Sequence, residues 1–556
     1  MQSRPKRARK VREDAARFAF DQPHPDQQPN GDEERFPDRI GSYSKGLPHD
    51  DRGEVDGDAY QALLTAVESG DPADFEAIPL GDPSSCPSEL GRRLVNPQSG
   101  FAFDLEGPDA QALALPPAPR LDSAEEAGEM AELYWMALLR DVDFEDYATD
   151  ATAAEAAADL SRFSDFRGPK EGGKVTPGTL FRGFTPGDVA GPFVSQFLLR
   201  DFDYGTLRVS QREQRAKPGV DYVTDPAEWL RIQNGCDPGV SRMKQLELDE
   251  DGNPVRRYIR NGRDVATYVH FDALYEAYLN ACLILLGSPP AEDPRAQTAP
   301  FDAGNPYVGP STQEGFGTFG PPHVLSLVCE VATRALKAVW WQKWGVHRRL
   351  RPEEFGGRVQ RVKTGAADYP IGEELLGSPV LDRVNEGFGS YLLPLAFPEG
   401  SPTHPSYGAG HATVAGACVT ILKAWFDESV AIADLFTPVV ANPAGDGLDE
   451  FTGPDAGELT VGGELNKVAA NVAIARNMAG VHWRSDYTES LRLGERVAIQ
   501  ILEEQAPTYN ERFSFTLTTF DGESVTIDNE SGGGGGSGRF ESAGESEEAE
   551  ERVGAG

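Results

Sequence analysis

An all-α protein assembled from helical bundles is the fold this sequence predicts. Three stretches carry that prediction, 322–343, 411–427 and 462–480, in each of which apolar residues return every three or four positions on one face. A single stretch, 513–527, alternates apolar and polar residues around Asp521-Gly522, the pattern of a β-hairpin. An amphipathic helix with no sheet to cover must bury its stripe against other helices, so bundles follow.

Taken in order, residues 1–55 are rich in Pro, Asp, Gln and Gly, and are expected to form an extended arm. Residues 58–70 predict a short helix with Tyr60, Leu63, Leu64 and Val67 inward and Gly70 as its stop. Ser123-Ala-Glu-Glu126 is a capping box, and it opens a helix running to about Asp141. Residues 160–262 are too mixed in Gly, Pro and charge to order. Residues 265–287 predict one long apolar helix closed by Gly287 and Pro289-Pro290. A Gly/Pro-rich linker, 304–322, contains GFGTFG, but no strand precedes it and no Lys-Ser/Thr follows, so it is not a nucleotide loop. The 322–343 helix comes next, ending in Lys343, His347, Arg348, Arg349 and Arg351. After 462–480 a last helix covers about 486–504. The folded region is expected over 56–528, with bundle-forming halves of about 56–290 and 322–505 and the hairpin at 513–527. A Gly-rich acidic tail, 529–556, is expected to be disordered.

Composition narrows the function. The net charge is −37, from 52 basic and 89 acidic residues, and only 12 of the bases are Lys. That balance argues against nucleic-acid or anionic-membrane partners, which need a basic footprint. Acidity with scarce lysine fits a protein adapted to high salt, where screening tames self-repulsion. No apolar run approaches the ~18–20 residues of a bilayer span. The basic N-terminus lacks a hydrophobic segment after it, so a cytoplasmic location is expected. The five cysteines are widely spaced without a C-x-x-C, so neither a disulfide framework nor a zinc site is expected.

The chemistry centres on 401–427. Pro402, Pro405, Gly408 and Gly410 keep its first third irregular, and the helical pattern starts at His411. A glycine-rich loop feeding a helix N-terminus makes an anion site from free backbone N–H groups and the positive dipole end. Two other segments supply matching charge. One is K-x7-R-P, with Lys343 and Arg351; the other is R-x5-H-x3-D, with Arg476, His482 and Asp486. A Lys and two Arg converging on a helix N-terminus would hold a tetrahedral or trigonal oxyanion by charge-assisted hydrogen bonds. His482 adds a nucleophile or ligand, with Asp486 placed to fix its tautomer. Singly, each residue has a plainer reading. Arg476 fits a surface ion pair, His482-Trp483 a buried turn, and Lys343, Arg348 and Arg349 a solvated helix end.

K-x7-R-P, then H-P-S-Y-G-A-G-H, then R-x5-H-x3-D, resembles the vanadium-dependent haloperoxidases of the algal bromoperoxidase type, a group whose wider superfamily includes acid phosphatases. The resemblance is densest over 323–490 and extends over most of 30–505. It implies two four-helix bundles per subunit and a homo-oligomer, a dimer or larger. It implies a vanadate held by Lys343, Arg351, Gly410 and Arg476, with His482 on the vanadium, His411 as acid/base and His404 as a second pocket histidine. Hydrogen peroxide, a halide (bromide foremost) and small organic acceptors are the implied substrates, with room for a structural calcium as in some relatives. Ala409 departs from the family's usual serine and removes a hydroxyl donor to the anion. Two alternatives share the motifs: a phosphatase with His482 as nucleophile, and an inactive oligomeric relative.

Overall fold

A computed structural model describes residues 3–86, 88–287 and 297–529 of the chain. Its centre is the Gly410–Trp425 helix, in which every residue except His411 is buried. A helix apolar on all sides must be surrounded. Pro321–Trp340, Val461–Met478 and Arg484–Gln505 surround it. Two glycines set the closest crossing: a Cβ on Gly416 would lie 2.1 Å from the Leu491 carbonyl, and one on Gly494 2.0 Å from that of Thr413.

The N-terminal half contributes Ala124–Leu138, Ala151–Leu160, Gly262–Phe271 and Glu276–Leu285, which pack on Val461–Met478 and on each other. Ser123 caps the first of these by accepting from the Glu126 N–H at 3.1 Å. One hydrophobic cluster runs from Ile40 to Ile527 and joins both halves. Strands occur as four antiparallel pairs, the longest being Ser514–Thr518 with Ser524–Asp528. Phe515, Leu517, Val525 and Ile527 of that hairpin face the core. The fold is therefore all-α with minor sheets.

Four expectations need correction. Residues 4–21, expected to be extended, form the Arg4–Asp21 helix, and 40–47 is core, with Lys45 buried against Glu353 at 2.8 Å. The single helix expected over 265–287 is two, broken between Phe271 and Glu276. Asp272 takes an extended conformation there, and its carboxylate meets a histidine of the central helix. The helix expected over 322–343 ends at Trp340 and continues as a π-helix, Trp341–His347. The acidic tail and Pro289-Pro290 lie outside the described residues.

The fourth correction is covalent: Cys86 and Cys236 form a disulfide across 150 positions of sequence. Separation hid the pair, because the two meet only once 86–95 folds beside 231–237. Cys282 and Cys418 are buried in helices, whereas Cys329 is partly exposed. Such bonds persist in oxidising surroundings. Thiol titration of the unfolded, unreduced chain should find three thiols, and five after reduction; five without reductant would remove the bond.

Candidate active site

The three motif segments meet at the N-terminal end of the central helix. Lys343 arrives from the π-helix, a rare local widening found mostly at functional sites. Its ammonium is fully buried and donates to the carbonyls of Pro405 at 2.8 Å and Ser406 at 2.9 Å. An ammonium has three hydrogens, so one is left for a ligand. Arg351 stands at the start of the Pro352–Lys363 helix. It donates to the His404 and Val481 carbonyls, to His404 Nδ1 at 2.8 Å, and to His482 Nε2 at 3.0 Å. Arg476 donates to the Val269 carbonyl at 2.9 Å, while its Nε is buried without an acceptor.

His482 is the best-defined group. Its Nδ1 lies 2.7 Å from Asp486 Oδ2, so the carboxylate accepts the ring proton and leaves Nε2 a lone pair facing Arg351. Asp486 is fixed in turn. Ser406 donates to Oδ2, and Arg349 donates to Oδ1 at 2.9 Å. Arg349 also reaches Glu126 and, at 3.0 Å, Glu129. The surface readings of Lys343, Arg348 and Arg349 thus fail: the first and third are buried, and Arg348 is paired with Glu33 at 2.6 Å.

His411, the one exposed residue of the central helix, lines a cavity of about 270 Å³ with Arg476, Asp272, Phe397, His270 and Arg92. Asp272 Oδ1 is 3.2 Å from His411 Nε2. Burial alone would raise the Asp272 carboxyl, but His411 and Arg476 prevail and hold it below its usual range. His404 is packed against Trp340, ring centres 4.9 Å apart. Trp340 also roofs Gly410, where an added Cβ would sit 3.0 Å from the indole. Ala409 precedes the helix as its N-cap residue, and its own N–H is already donated to Ser490 Oγ at 2.8 Å.

Electrostatics define what this pocket lacks. Burial, with Arg351 next and Arg476 adding, pushes Lys343 well below an ordinary ammonium. Burial also lowers Arg351 and Arg476, each to about 10. His482 falls well below its ordinary range by burial, then by Arg351, Lys343 and Arg476. His404 follows by burial, Lys343 and Arg351. Three buried cations repel one another around one helix N-terminus, and Asp486 is bound up with His482 and Arg349. An oxyanion in their midst would relieve that repulsion and satisfy the Arg476 Nε. Vanadate therefore fits the donor set. Among the described residues no group of three or more His, Cys, Asp and Glu is placed to hold a metal ion, so none of them forms a calcium site of that kind.

All the sequence-nominated side chains converge here. Those that the sequence did not nominate are Asp272, Ser406, Trp340 and the Glu126–Glu129–Arg349 cluster. Asp272 gave no signal of its own, because apolar spacing continues through it, and the others sit in ordinary helical or loop contexts.

A helical bundle closing on a buried cationic pocket, with a neutral histidine offering one nitrogen, defines an oxyanion-binding enzyme fold. Residues 377–510 match the family model described as the VCPO second helical-bundle domain. Vanadium-dependent bromoperoxidases of Corallina pilulifera and Corallina officinalis are each 42% identical to this chain, covering 88% and 90% of it and 91% and 92% of their own lengths. That of Ascophyllum nodosum is 37% identical over 88% of this chain and 87% of its own. The homohexameric structure of a second vanadate-dependent bromoperoxidase from Ascophyllum nodosum superposes with a TM-score of 0.84 at 32% identity, covering 94% of this chain and 90% of that one. The chain belongs to the vanadium-dependent bromoperoxidase family.

Proposed function

We propose that this protein oxidises bromide with hydrogen peroxide while holding vanadate between Lys343, Arg351, Arg476 and the Gly410 end of the central helix, and that it works as a homo-oligomer. The observation that carries the reading is the convergence of three buried basic side chains on the Gly410 end of the central helix, with the Arg476 Nε left without an acceptor. Bound there, vanadate supplies a Lewis acid that activates peroxide without a change of metal oxidation state. The chain's own residues do the rest. His482 offers the Nε2 lone pair, oriented by Asp486. His411, with Nε2 engaged by Asp272, keeps Nδ1 for exchanging a proton with peroxide entering through the cavity. Lys343 directs its third hydrogen toward the bound anion. Phe397 and Trp340 narrow the site and exclude water from it.

The test is bromination of a phenol indicator by the apo-protein with and without added vanadate. Activity should require vanadate, and phosphate should compete with it, since both are tetrahedral oxyanions. Undiminished activity after chelation and phosphate dialysis would remove the reading.

A second measurement reports the charge of the pocket directly. An arriving anion favours the charged form of Lys343 and raises its depressed pKa, so binding takes up protons at pH values between the free and the bound pKa. Calorimetry with sulfate, in buffers of different ionisation enthalpy, should show that uptake. None would mean that Lys343 already carries its charge. At Ala409 a serine hydroxyl would donate to the anion, while a bridging water already gives nearly the same enthalpy. Ala409→Ser is expected to tighten vanadate binding by about fivefold, roughly 1 kcal/mol, read by titrating apo-protein. Weaker binding would show that the buried Ala409 site cannot accept a hydroxyl.

A further inference from the structure

We propose that the Arg4–Asp21 helix is an exchanged arm, docking on a second copy of this chain at the exposed strip around Phe103 and Leu105. The proposal rests on the homo-oligomeric reading above and names the segment that joins subunits.

The helix has no buried residue of its own. Ala8, Val11, Ala15 and Phe18 are its half-covered positions, spaced three and four apart on one face, and Phe20 beyond them is 87% exposed. By itself such a helix is poorly supported. Its first half carries Arg4, Lys6, Arg7, Arg9, Lys10 and Arg12, placed at the positive end of the helix dipole. Only two exposed pairs, Arg9–Glu13 and Lys10–Asp14, answer them. Exposed pairs of this kind contribute little, and an isolated helix of this length is marginal in water. A helix in this state calls for a partner.

Charge says which partner. The helix holds seven bases and three acids, net +4, in a chain of net −37, so the remainder carries −41. Every copy therefore presents an acidic surface to its neighbour's basic arm. A polyanion would satisfy the bases, but it would face the same −41 and leave the apolar stripe uncovered.

The anchorage says where. Gln27 donates to the carbonyls of Gln111 and Leu113 and accepts from Gln342, and Asn30 donates to the Pro119 carbonyl. The arm thus leaves the body beside 111–119, a few residues along the chain from 103–106. Just before that stretch Leu105 and Phe103 are 103% and 85% exposed; with Phe20 they are the most exposed large apolar side chains among the described residues. Of the acids that interleave with them, Asp104 is paired with Lys337 at 2.6 Å and Glu106 with Arg334 at 3.4 Å, and Asp109 adds charge beside them. A two-fold axis near the root of the arm would let each subunit lay its helix on the other's strip, an isologous exchange that closes on itself.

Sedimentation velocity on the full chain, the chain lacking residues 1–21, Leu105→Asp and Lys10→Glu/Arg17→Glu decides it. Leu105 is fully exposed, so its variant cannot fail merely by unfolding. Wild type should assemble, and each variant should dissociate at a subunit concentration at least tenfold higher, with bromination per subunit retained. Assembly unchanged in all three variants would overturn the arm and leave the oligomer standing. A wild type that is monomeric at every concentration would overturn both. A monomeric wild type retained by DNA or by anionic vesicles would reassign the helix to a polyanion.

Discussion

Replacing His482 with alanine is expected to abolish vanadium retention and turnover together, whereas His411→Ala should retain vanadium and lose turnover by ~10²–10⁴. The difference follows from what each ring faces. His482 is buried, is held neutral by burial and the surrounding cations, and has its second nitrogen committed to Asp486. Its Nε2 is then a fixed, unprotonated nitrogen that accepts from Arg351. Removing it would take away the nitrogen proposed to hold vanadium, and would leave Arg351 and Asp486 without a shared partner. His411 instead lies on the cavity wall, tethered only by Asp272 at 3.2 Å. An acid/base group in that position serves the transition state more than the resting anion. Metal analysis of the two purified variants, beside the bromination assay, checks the assignment. Equal vanadium loss in both would reverse the roles.

Much of the fold was legible because most helices here are amphipathic or wholly apolar, and periodicity reports exactly that property. Its failures share a cause: tertiary demand overrode local pattern. Apolar spacing continues through Asp272, so nothing local announces the break that turns its carboxylate to His411. The π-helix Trp341–His347 follows the α-helix without a Gly or Pro at the junction, so no breaker marks where one becomes the other. The Arg4–Asp21 helix is hidden by its charge, which resembles that of an unfolded tail. The motif residues of the pocket were legible because their types are unusual at the ends of apolar helices. Arg349 was not, since a basic residue after a helix has an adequate surface explanation. Its partners Glu126 and Glu129 lie more than 200 positions away.

Arg349 is the side chain whose loss should cost the fold most. Its guanidinium is buried with three carboxylates, those of Glu126, Glu129 and Asp486, and it lies over the Trp483 ring. Arg349→Met keeps the volume and removes the charge, leaving the acids buried without their cation. Breaking a buried pair from one side typically costs ~3–5 kcal/mol. The cost must also depend on pH, with a definite sign. Burial already raises the Glu126 and Glu129 carboxyls, and Arg349 is the main influence holding them down. Without it they rise further. A carboxyl whose folded pKa exceeds its unfolded value favours folding while protonated, and that advantage is lost as pH rises through the folded pKa. The variant should therefore approach wild-type stability toward acid pH and fall progressively behind toward alkaline pH. Arg349→Lys separates charge from geometry. It should recover most of the pH slope, because a cation returns, but a single ammonium cannot hold Asp486 and both glutamates with a planar fork. Asp486 then loses its second fastening, the His482 tautomer is less firmly set, and vanadate should bind more weakly than in wild type. Thermal melts across that pH range and vanadate titration of the apo-variants measure the two effects. A stability deficit that stayed constant with pH, or grew toward acid, would mean that the two glutamates are already neutral and that Arg349 serves Asp486 alone.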